Sequence, residues 1–572
     1  MIAAPHHHGS NPTRPHPDVP SEPDLSKGPR HAVALIAVVL LTLVATLPGL
    51  FAIPPIDRDE PRFAQASRQM LESGDFVDIR LQQEARHNKP AGIYWLQAAS
   101  VATAEALGAP DAARAIGVYR LPSFLGMLAA ALATYWAGLA IMDRRGALAG
   151  AAGFAATLIA AVEARLATTD ATLLATAVVA FGALIRIYLA TLERRPPGRG
   201  IVLLFWVAVG AGVLVKGPIV PLIAGFAIAA LAIVDRSLAL LKSLRPALGL
   251  AIVAAMAAPW LVMIGLKSGG GFFVDSLGKD LLLKAAGPQE SHGAPPGAFF
   301  VAAWGTFWPL APYFAAAAPG LWAARREPWA KVILAWVIPA WLMFELVPTK
   351  LPHYVMPLYP ALALAVGWTA ADGRMALDRR WAKALILLVP VGPLALTLGF
   401  AWLIHHLDGG VNLPFLIAGA LSVALAAAAV PPFWRGRALV SLVAAFASSA
   451  VLTAAVFGLA ARDLDALFPM KRLADTLPAL GCAEPLSAVA GFREPSLILL
   501  TRTDLTLTDG AGAARFLKQG GCRAAFVERR QQAAFDAALA SEGVAPRRVA
   551  EVTGVAINGA KRVSYVVYGV VP

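Results

Sequence analysis

Two aspartates, a glutamate and two arginines crowd the six residues DRDEPR (57–62), directly behind the apolar run AVALIAVVLLTLVATLPGLF (32–51). Lys89 follows in NKPAGIYWLQ (88–97), Asp170 in ARLATTDATLLA (164–175), and Lys216 in VKGP (215–218). Lys350, His353 and Tyr354 stand together in LVPTKLPHYVMPLYP (346–360). Acids and cations gathered at the edges of apolar segments are the raw material of an active site at a membrane surface. Acids can move protons or face developing positive charge, and cations can hold an anion. Asp57, Asp59, Glu60, Arg62 and Lys89 carry this reading furthest in the first loop, whereas Glu72, Asp75 and Asp78 suit an ordinary solvated surface. Thr168, Thr169 and Asp170 also suit capping of the span that begins at Ala171. Lys216 also suits snorkelling at a span end. Both simpler readings are favoured on the sequence. The long loop 267–297 carries Glu290 and His292, which, with His353, make a candidate substrate loop. Glu290 and His292 are metal-ligand types as well, but two alternating residues support a divalent metal only weakly. No metal site and no firm cofactor is assigned.

These residues need elements to hold them. The chain has 572 residues, 58% hydrophobic and 15% charged, against about 25% charged in soluble domains. Its apolar residues fall in separate runs long enough to cross a hydrocarbon core of about 30 Å. A polytopic α-helical membrane protein is the expected class. The net charge of +13 belongs mostly to short loops between apolar runs, which makes it a topology signal and excludes a nucleic-acid partner.

Thirteen spans are expected, at 32–51, 117–141, 146–165, 171–191, 200–215, 217–234, 247–266, 298–322, 330–348, 354–371, 382–404, 412–430 and 438–461. The basic loops DRRG, ERRPPGRG, DRSLALLKSLRP, ARREPWAK, DGRMALDRRWAK and FWRGR then fall on the side of the N-terminus, which is therefore cytoplasmic. Residues 1–31 read as a disordered cytoplasmic tail. The first periplasmic loop, 52–116, reads as two amphipathic pieces. One has Asp59 as N-cap, Pro61 in its first turn, Phe63, Ala66 and Met70 on one face, and Gly74 at its end. The other runs through 92–108 as an interfacial helix, because it is only 17 residues long and contains Glu105. The membrane domain covers 32–461.

Residues 462–572 change to the composition of a small soluble α/β domain, expected in the periplasm. Strands are read at 486–492, 504–508, 522–528, 547–557 and 563–571, with helices in AARFLKQG and RRQQAAFDAALASEG. Cys482 and Cys522 are the only cysteines and could pair in an oxidising compartment.

DEPRFAQASRQMLESGDF, NKPAGIYWLQ, ARLATTDATLL and KLPHYVMPLYPALAL, in this order and spacing, resemble the bacterial lipid A aminoarabinose transferases and their relatives. That family is similar to the protein O-mannosyltransferases and belongs to the GT-C class of polytopic glycosyltransferases. The resemblance covers roughly residues 32–370. It implies thirteen spans, amphipathic helices in the first periplasmic loop and a soluble C-terminal domain. It also implies a hexosyl- or pentosyltransferase of the bacterial inner membrane that draws on a polyprenyl-phosphate sugar donor. The acceptor would be lipid A, another glycan or a protein. The family commonly has an acid where this chain has Asn88, which weakens the case for a metal.

On that reading Lys89, Arg62, Lys350, Lys216 and Tyr354 face the donor phosphate, while Asp59, Asp170 and Glu60 serve the sugar side, one as general base if the acceptor is a hydroxyl. A single displacement inverts the anomeric carbon. A transporter or flippase of lipid-linked sugars is the rival. It would place ionisable residues inside spans and show inverted repeats, whereas here the charges cluster at one face.

Overall fold

The computed structural model describes residues 29–57, 59–276, 278 and 293–571. The expected tail, apart from its last residues, and Glu290 and His292 of the candidate substrate loop lie outside these residues. The described chain is mostly helical and ends in a small five-stranded sheet. The first helices are α1 (His31–Thr46), α2 (Glu60–Ser73), α3 (Gly92–Ala106), α4 (Ile116–Gly138), α5 (Arg144–Ala155), α6 (Leu158–Glu163), α7 (Asp170–Leu192), α8 (Arg199–Lys216) and α9 (Ile219–Val234). Among the described residues nine helices are long and apolar enough to cross a membrane.

The difference from thirteen has a structural cause. The apolar runs at the α1 and α9 positions form helices of only 16 residues each. Two expected spans are broken. The run at 146–165 divides into α5 and α6, and the run at 298–322 divides into Ala298–Thr306 and Ala311–Ala323 around Pro309. The two breaks face each other, with the Leu158 amide donating to the Trp308 carbonyl at 2.9 Å. Ser449 Oγ donates to the Ala156 carbonyl at 2.5 Å, and Thr157 Oγ1 to the Phe154 carbonyl at 2.8 Å. An unpaired backbone group in hydrocarbon costs several kcal/mol, so irregular backbone survives at membrane depth only where other protein groups satisfy it.

Small residues let the bundle close. A Cβ on Gly367 would lie 2.2 Å from the Gly146 carbonyl oxygen and 2.6 Å from the Gly150 nitrogen. Gly146 and Gly150, one turn apart on α5, thus bring the helix Tyr359–Ala371 into backbone contact. Small-xxx-small spacing does this in membranes, where the hydrophobic effect supplies no force between helices.

The first loop follows its sequence pattern. Phe63, Ala66 and Met70 of α2 are buried in one cluster with Tyr94, Trp260 and Phe272. Gly74 ends α2 at φ 70°. α3 has 15 residues, below spanning length. Its start packs on the end of α8, since a Cβ on Gly92 would meet the Leu214 carbonyl at 2.6 Å. The Lys89–Pro90 turn therefore enters beside the end of α8 that carries Lys216. A short hairpin, β1 (Arg80–Leu81) and β2 (Glu84–Ala85), joins α2 to α3.

The terminal sheet comprises β3 (Leu486–Ala490), β4 (Thr506–Thr508), β5 (Arg523–Glu528), β6 (Arg547–Ala556) and β7 (Lys561–Val570), in the order β4-β3-β5-β7-β6. β3 is parallel to β4 and β5, while β7 is antiparallel to β5 and β6. All five strands lie within a few residues of their expected positions. The helix Pro495–Leu500, which carries the crossover from β3 to β4, was not anticipated from the sequence.

Cys482 and Cys522 form a disulfide with their Cα atoms 6.4 Å apart. Each lies just ahead of one of the adjacent strands β3 and β5. Closing a loop of this size constrains the unfolded chain and is worth about 2–4 kcal/mol. Replacing both cysteines by Ala is expected to destabilise the sheet domain by that amount. Protease-protection melts of the full chain, with and without reductant, check it: reductant should lower the wild-type midpoint and leave the double variant unchanged.

Candidate active site at one end of the helix bundle

Three helix ends and a turn meet in one cluster. α6 stops at Glu163, α7 starts at Asp170, α8 stops at Lys216, and the turn Pro352–Leu358 brings in His353 and Tyr354. The Lys216 ammonium is 2.5 Å from Asp170 Oδ1, with side chains 15% and 10% exposed. His353 lies between two acids, its Nδ1 3.4 Å from Glu163 Oε1 and its Nε2 3.7 Å from Asp170 Oδ1. Lys216 also sits 5.5 Å from the centre of the Tyr354 ring, which stands edge-on to His353. Charges placed at span ends avoid most of the insertion cost, about 2.5–3.5 kcal/mol at a helix centre. Pairing offsets part of the desolvation that remains.

This corrects both simpler readings of the sequence. Thr169 occupies the N-cap position of α7 without a side-chain capping bond, and Asp170 points to Lys216 instead of its own helix. Lys216 does not reach out to the interface. Its cation turns inward because a buried carboxylate is within reach.

Asp59 holds the N-cap position of α2, yet its side chain makes no capping bond. It is 63% exposed, 3.8 Å from Arg62 and 4.0 Å from Arg86, and its charge reaches His353. The Arg86 guanidinium lies over the Phe63 ring at 5.0 Å. Asp59 and Arg62 thus form the open edge of the cluster.

Glu60 is placed differently. It is 2% exposed, and both its oxygens are engaged. Arg120 donates to Oε1 at 2.7 Å and to Oε2 at 2.9 Å, the Ala167 amide to Oε1 at 2.9 Å, and the Ile56 amide to Oε2 at 2.8 Å. Arg120 is fully buried and also donates to the carbonyls of Leu50, Ile53 and Pro54. One ion pair therefore ties the turn before α2 to the segment 164–169 that leads into Asp170.

Lys350 is 9% exposed and donates to the Val347 carbonyl at 2.6 Å, 5.9 Å from the centre of the Phe299 ring. Next to it, Thr349 forms a β-bridge with Gly293. Lys350 stands three residues ahead of His353 in the chain, and its contacts are with Val347 and Phe299. Lys89 is half-buried and Asn88 exposed. Among the described residues no group of three or more His, Cys, Asp or Glu could hold a metal ion.

Sequence reasoning missed Glu163, Arg120 and Arg86. Arg120 is a single charge inside an otherwise apolar run, and Glu163 stands with Arg165 at the end of another. That is itself the available signal, because an ionisable residue at membrane depth is expected to have a partner and a role.

Comparison with known proteins now adds to the geometry. Residues 31–268 match the family model described as dolichyl-phosphate-mannose-protein mannosyltransferase. That stretch contains Asp59, Glu60, Arg62, Lys89, Glu163, Asp170 and Lys216. The undecaprenyl phosphate-alpha-4-amino-4-deoxy-L-arabinose arabinosyl transferase of Pectobacterium carotovorum subsp. carotovorum is 25% identical over 365 residues, 62% of each chain. The protein of the same name from Erwinia tasmaniensis is 27% identical over 409 residues, 68% of each chain. The chain thus spans about three fifths of the length of the first of these curated relatives. ArnT from Cupriavidus metallidurans, crystallised bound to undecaprenyl phosphate, superposes with a TM-score of 0.71 at 21% identity, covering 94% of this chain and 97% of that one. The chain is thus similar in sequence to that mannosyltransferase family model over residues 31–268, and it shares the fold of ArnT over nearly its whole length.

Proposed function

We propose that this protein is an inner-membrane glycosyltransferase that moves a sugar from a polyprenyl-phosphate donor to an extracytoplasmic acceptor, lipid A or another glycan or protein. The observation that carries the reading is the buried Asp170–Lys216 pair, with Glu163, His353 and Tyr354 around it, at one end of a bundle of this fold. Supporting it, relatives are named for transfer from undecaprenyl phosphate-linked aminoarabinose, and ArnT of this fold was crystallised with undecaprenyl phosphate.

Breaking the bond from the sugar to phosphate builds positive charge on the sugar and negative charge on the departing phosphate. Lys216, beside the Tyr354 ring, supplies the central cation for the phosphate, and Arg62, Lys89 and Lys350 are assigned as further cations for it. Asp170 and Asp59 supply carboxylates for the sugar side. A hydroxyl acceptor needs one of them as base, for which exposed Asp59 at the open edge has access. A phosphate acceptor is already anionic and needs none. Glu60, fully engaged by Arg120 and two amides, positions the loops and takes no part in the chemistry. A flippase is disfavoured because Glu163, Asp170, Lys216 and His353 form one cluster at the ends of their helices.

We infer further that the N-terminus is cytoplasmic and the sheet domain periplasmic. The basic loops lie on one side by span count, while the site and the sheet domain share the other end. The disulfide suits an oxidising compartment.

Mass spectrometry of lipid A and envelope glycans, from cells with and without the gene, tests the activity. A sugar-sized mass increment should appear only with the gene and vanish with Asp59→Ala; an unchanged profile across the three strains sinks the reading. Single displacement further predicts inversion. NMR of the product should show the anomeric configuration opposite to that of the donor, and retention would exclude direct displacement.

A further inference from the structure

The turn that carries Asp59 is held from outside the membrane domain. Asp57, two residues earlier, reaches into the sheet domain, where it accepts from the Ser496 amide at 2.9 Å and from Ser496 Oγ at 2.5 Å. Its carboxyl is also in side-chain hydrogen-bond contact with Glu494, which is 5% exposed and receives a longer bond from Asn558 at 3.4 Å. Two carboxylates in contact cannot both be ionised there without strong repulsion, so the contact requires a shared proton.

The docking around them is extensive. The helix Pro495–Leu500 lies against α2, and Leu499 is buried with Ala64, Ile116, Tyr119 and Ala167. Arg68 donates to the Leu499 carbonyl at 3.0 Å, and Arg114 to the Thr501 carbonyl at 3.0 Å. Gln82 donates to the carbonyls of Thr503 and Leu505. The sheet domain is therefore seated on the same loop that carries Asp59, Glu60 and Arg62.

We propose that Asp57 and Glu494, clamped through Ser496, form a proton-sharing joint through which the sheet domain positions the Asp59 turn of the active site. Asp57 is a positioning residue on this account, acting through the turn and touching no substrate. The effect on transfer rests on the proposed glycosyltransferase reading, whereas the joint itself does not. In its docked state burial and the Glu494 charge push the Asp57 carboxyl up to about 8, and burial raises Glu494 as well.

The groups facing the pair are few. Ser496 lies at the start of the helix Pro495–Leu500, and Asn558 lies in the β6–β7 connection. Tyr565 of β7 feels the Glu494 charge, and Glu528 at the end of β5, paired with Arg530, acts on the same tyrosine. On the membrane side stand Asp59 and the Glu60–Arg120 pair. The groups that act most on Asp57 are Glu494 and Ser496. A carboxyl raised by folding contributes its docking strength below the ordinary carboxylate range and loses it as pH rises through about 8. The joint therefore loosens under mildly alkaline conditions.

Hydrogen exchange by mass spectrometry on the full chain in nanodiscs, between pH 6.5 and 9 and corrected for intrinsic exchange, tests the joint without an activity assay. In the wild type, protection of 495–500 and 56–66 should fall about tenfold across that range. Asp57→Asn, which keeps an acceptor for Ser496 and donates an amide to Glu494, should hold protection level. Glu494→Gln should do the same, and Asp57→Ala should lose protection at every pH. Transfer by the wild type should show an alkaline limb that Asp57→Asn, normalised to its own rate at pH 6.5, lacks. Wild-type-like pH dependence of protection in both Asp57→Asn and Glu494→Gln overturns the proposal. Flattened exchange profiles with no transfer by any chain, wild type included, would leave the joint standing and remove the glycosyltransferase reading.

Discussion

Asp170→Asn is expected to lower kcat by about 10²–10³, the scale on which removal of one preorganised electrostatic partner acts. The substitution preserves shape and leaves an oxygen that can accept from Lys216, but it removes the negative charge. Two consequences follow from the 2.5 Å contact. On the proposed mechanism, the sugar loses the carboxylate assigned to face its developing positive charge. Lys216 loses its nearest counter-charge and with it the contact that fixes its ammonium, the group proposed to meet the phosphate. Glu163 stays nearby, so the cation is not left wholly unneutralised and the helix ends should stay assembled. The measurement is initial rate on a polyprenyl-phosphate sugar, paired with a thermal melt of purified protein. A lost rate with a melt close to wild type is the expected pattern. A rate within about threefold of wild type would remove Asp170 from the chemistry.

The second large effect is on folding. Arg120→Met should destabilise the protein by about 3–5 kcal/mol, the cost of stranding a buried charge. Glu60 would keep two amide partners, from Ile56 and Ala167, but lose its fork of two guanidinium bonds. The carbonyls of Leu50, Ile53 and Pro54 would lose their donor as well. Glu60→Gln should cost less, because the amide retains an acceptor oxygen and the Arg120 cation keeps its three carbonyl acceptors. Combining Arg120→Met with Glu60→Met removes the stranded charge and should recover part of the loss, though not the three carbonyl bonds. Folded yield in detergent and melting midpoint should therefore rank wild type, Glu60→Gln, the double variant and Arg120→Met in descending order. Should Arg120→Met melt like the wild type, the ion pair is not what holds the first loop to the segment before Asp170.

The two experiments separate residues that the sequence grouped together. Asp59, Glu60 and Asp170 look alike in sequence, each an acid near the start of a helix. Their environments divide them. Asp59 is solvent-facing, Glu60 is sealed beneath Arg120, and Asp170 is buried beside a lysine 46 residues later in the chain.

Local physics made much of this protein legible before any coordinates. Apolar runs of membrane length announce helices because backbone groups in hydrocarbon have no other partners. Pro61, the buried face of Phe63, Ala66 and Met70, and Gly74 mark α2 for the same kind of local reason. Alternating apolar strands marked the terminal sheet, whose five strands fall where the pattern put them. The order and spacing of the motifs between Asp59 and Tyr354 carried the resemblance to the aminoarabinose transferases.

The remainder is decided by contacts between distant segments. Whether Asp170 caps its helix or pairs with Lys216 depends on how α7 and α8 pack. Glu163 and Arg120 acquire meaning only when His353 and Glu60 arrive, the latter 60 residues from Arg120. The breaks at 156–157 and 307–310 are stable only because Ser449 and each other's backbone groups satisfy them. Hydropathy and periodicity read the solvent that each segment meets. Electrostatic partners and backbone satisfaction depend on which segments meet one another, and only the assembled bundle sets that.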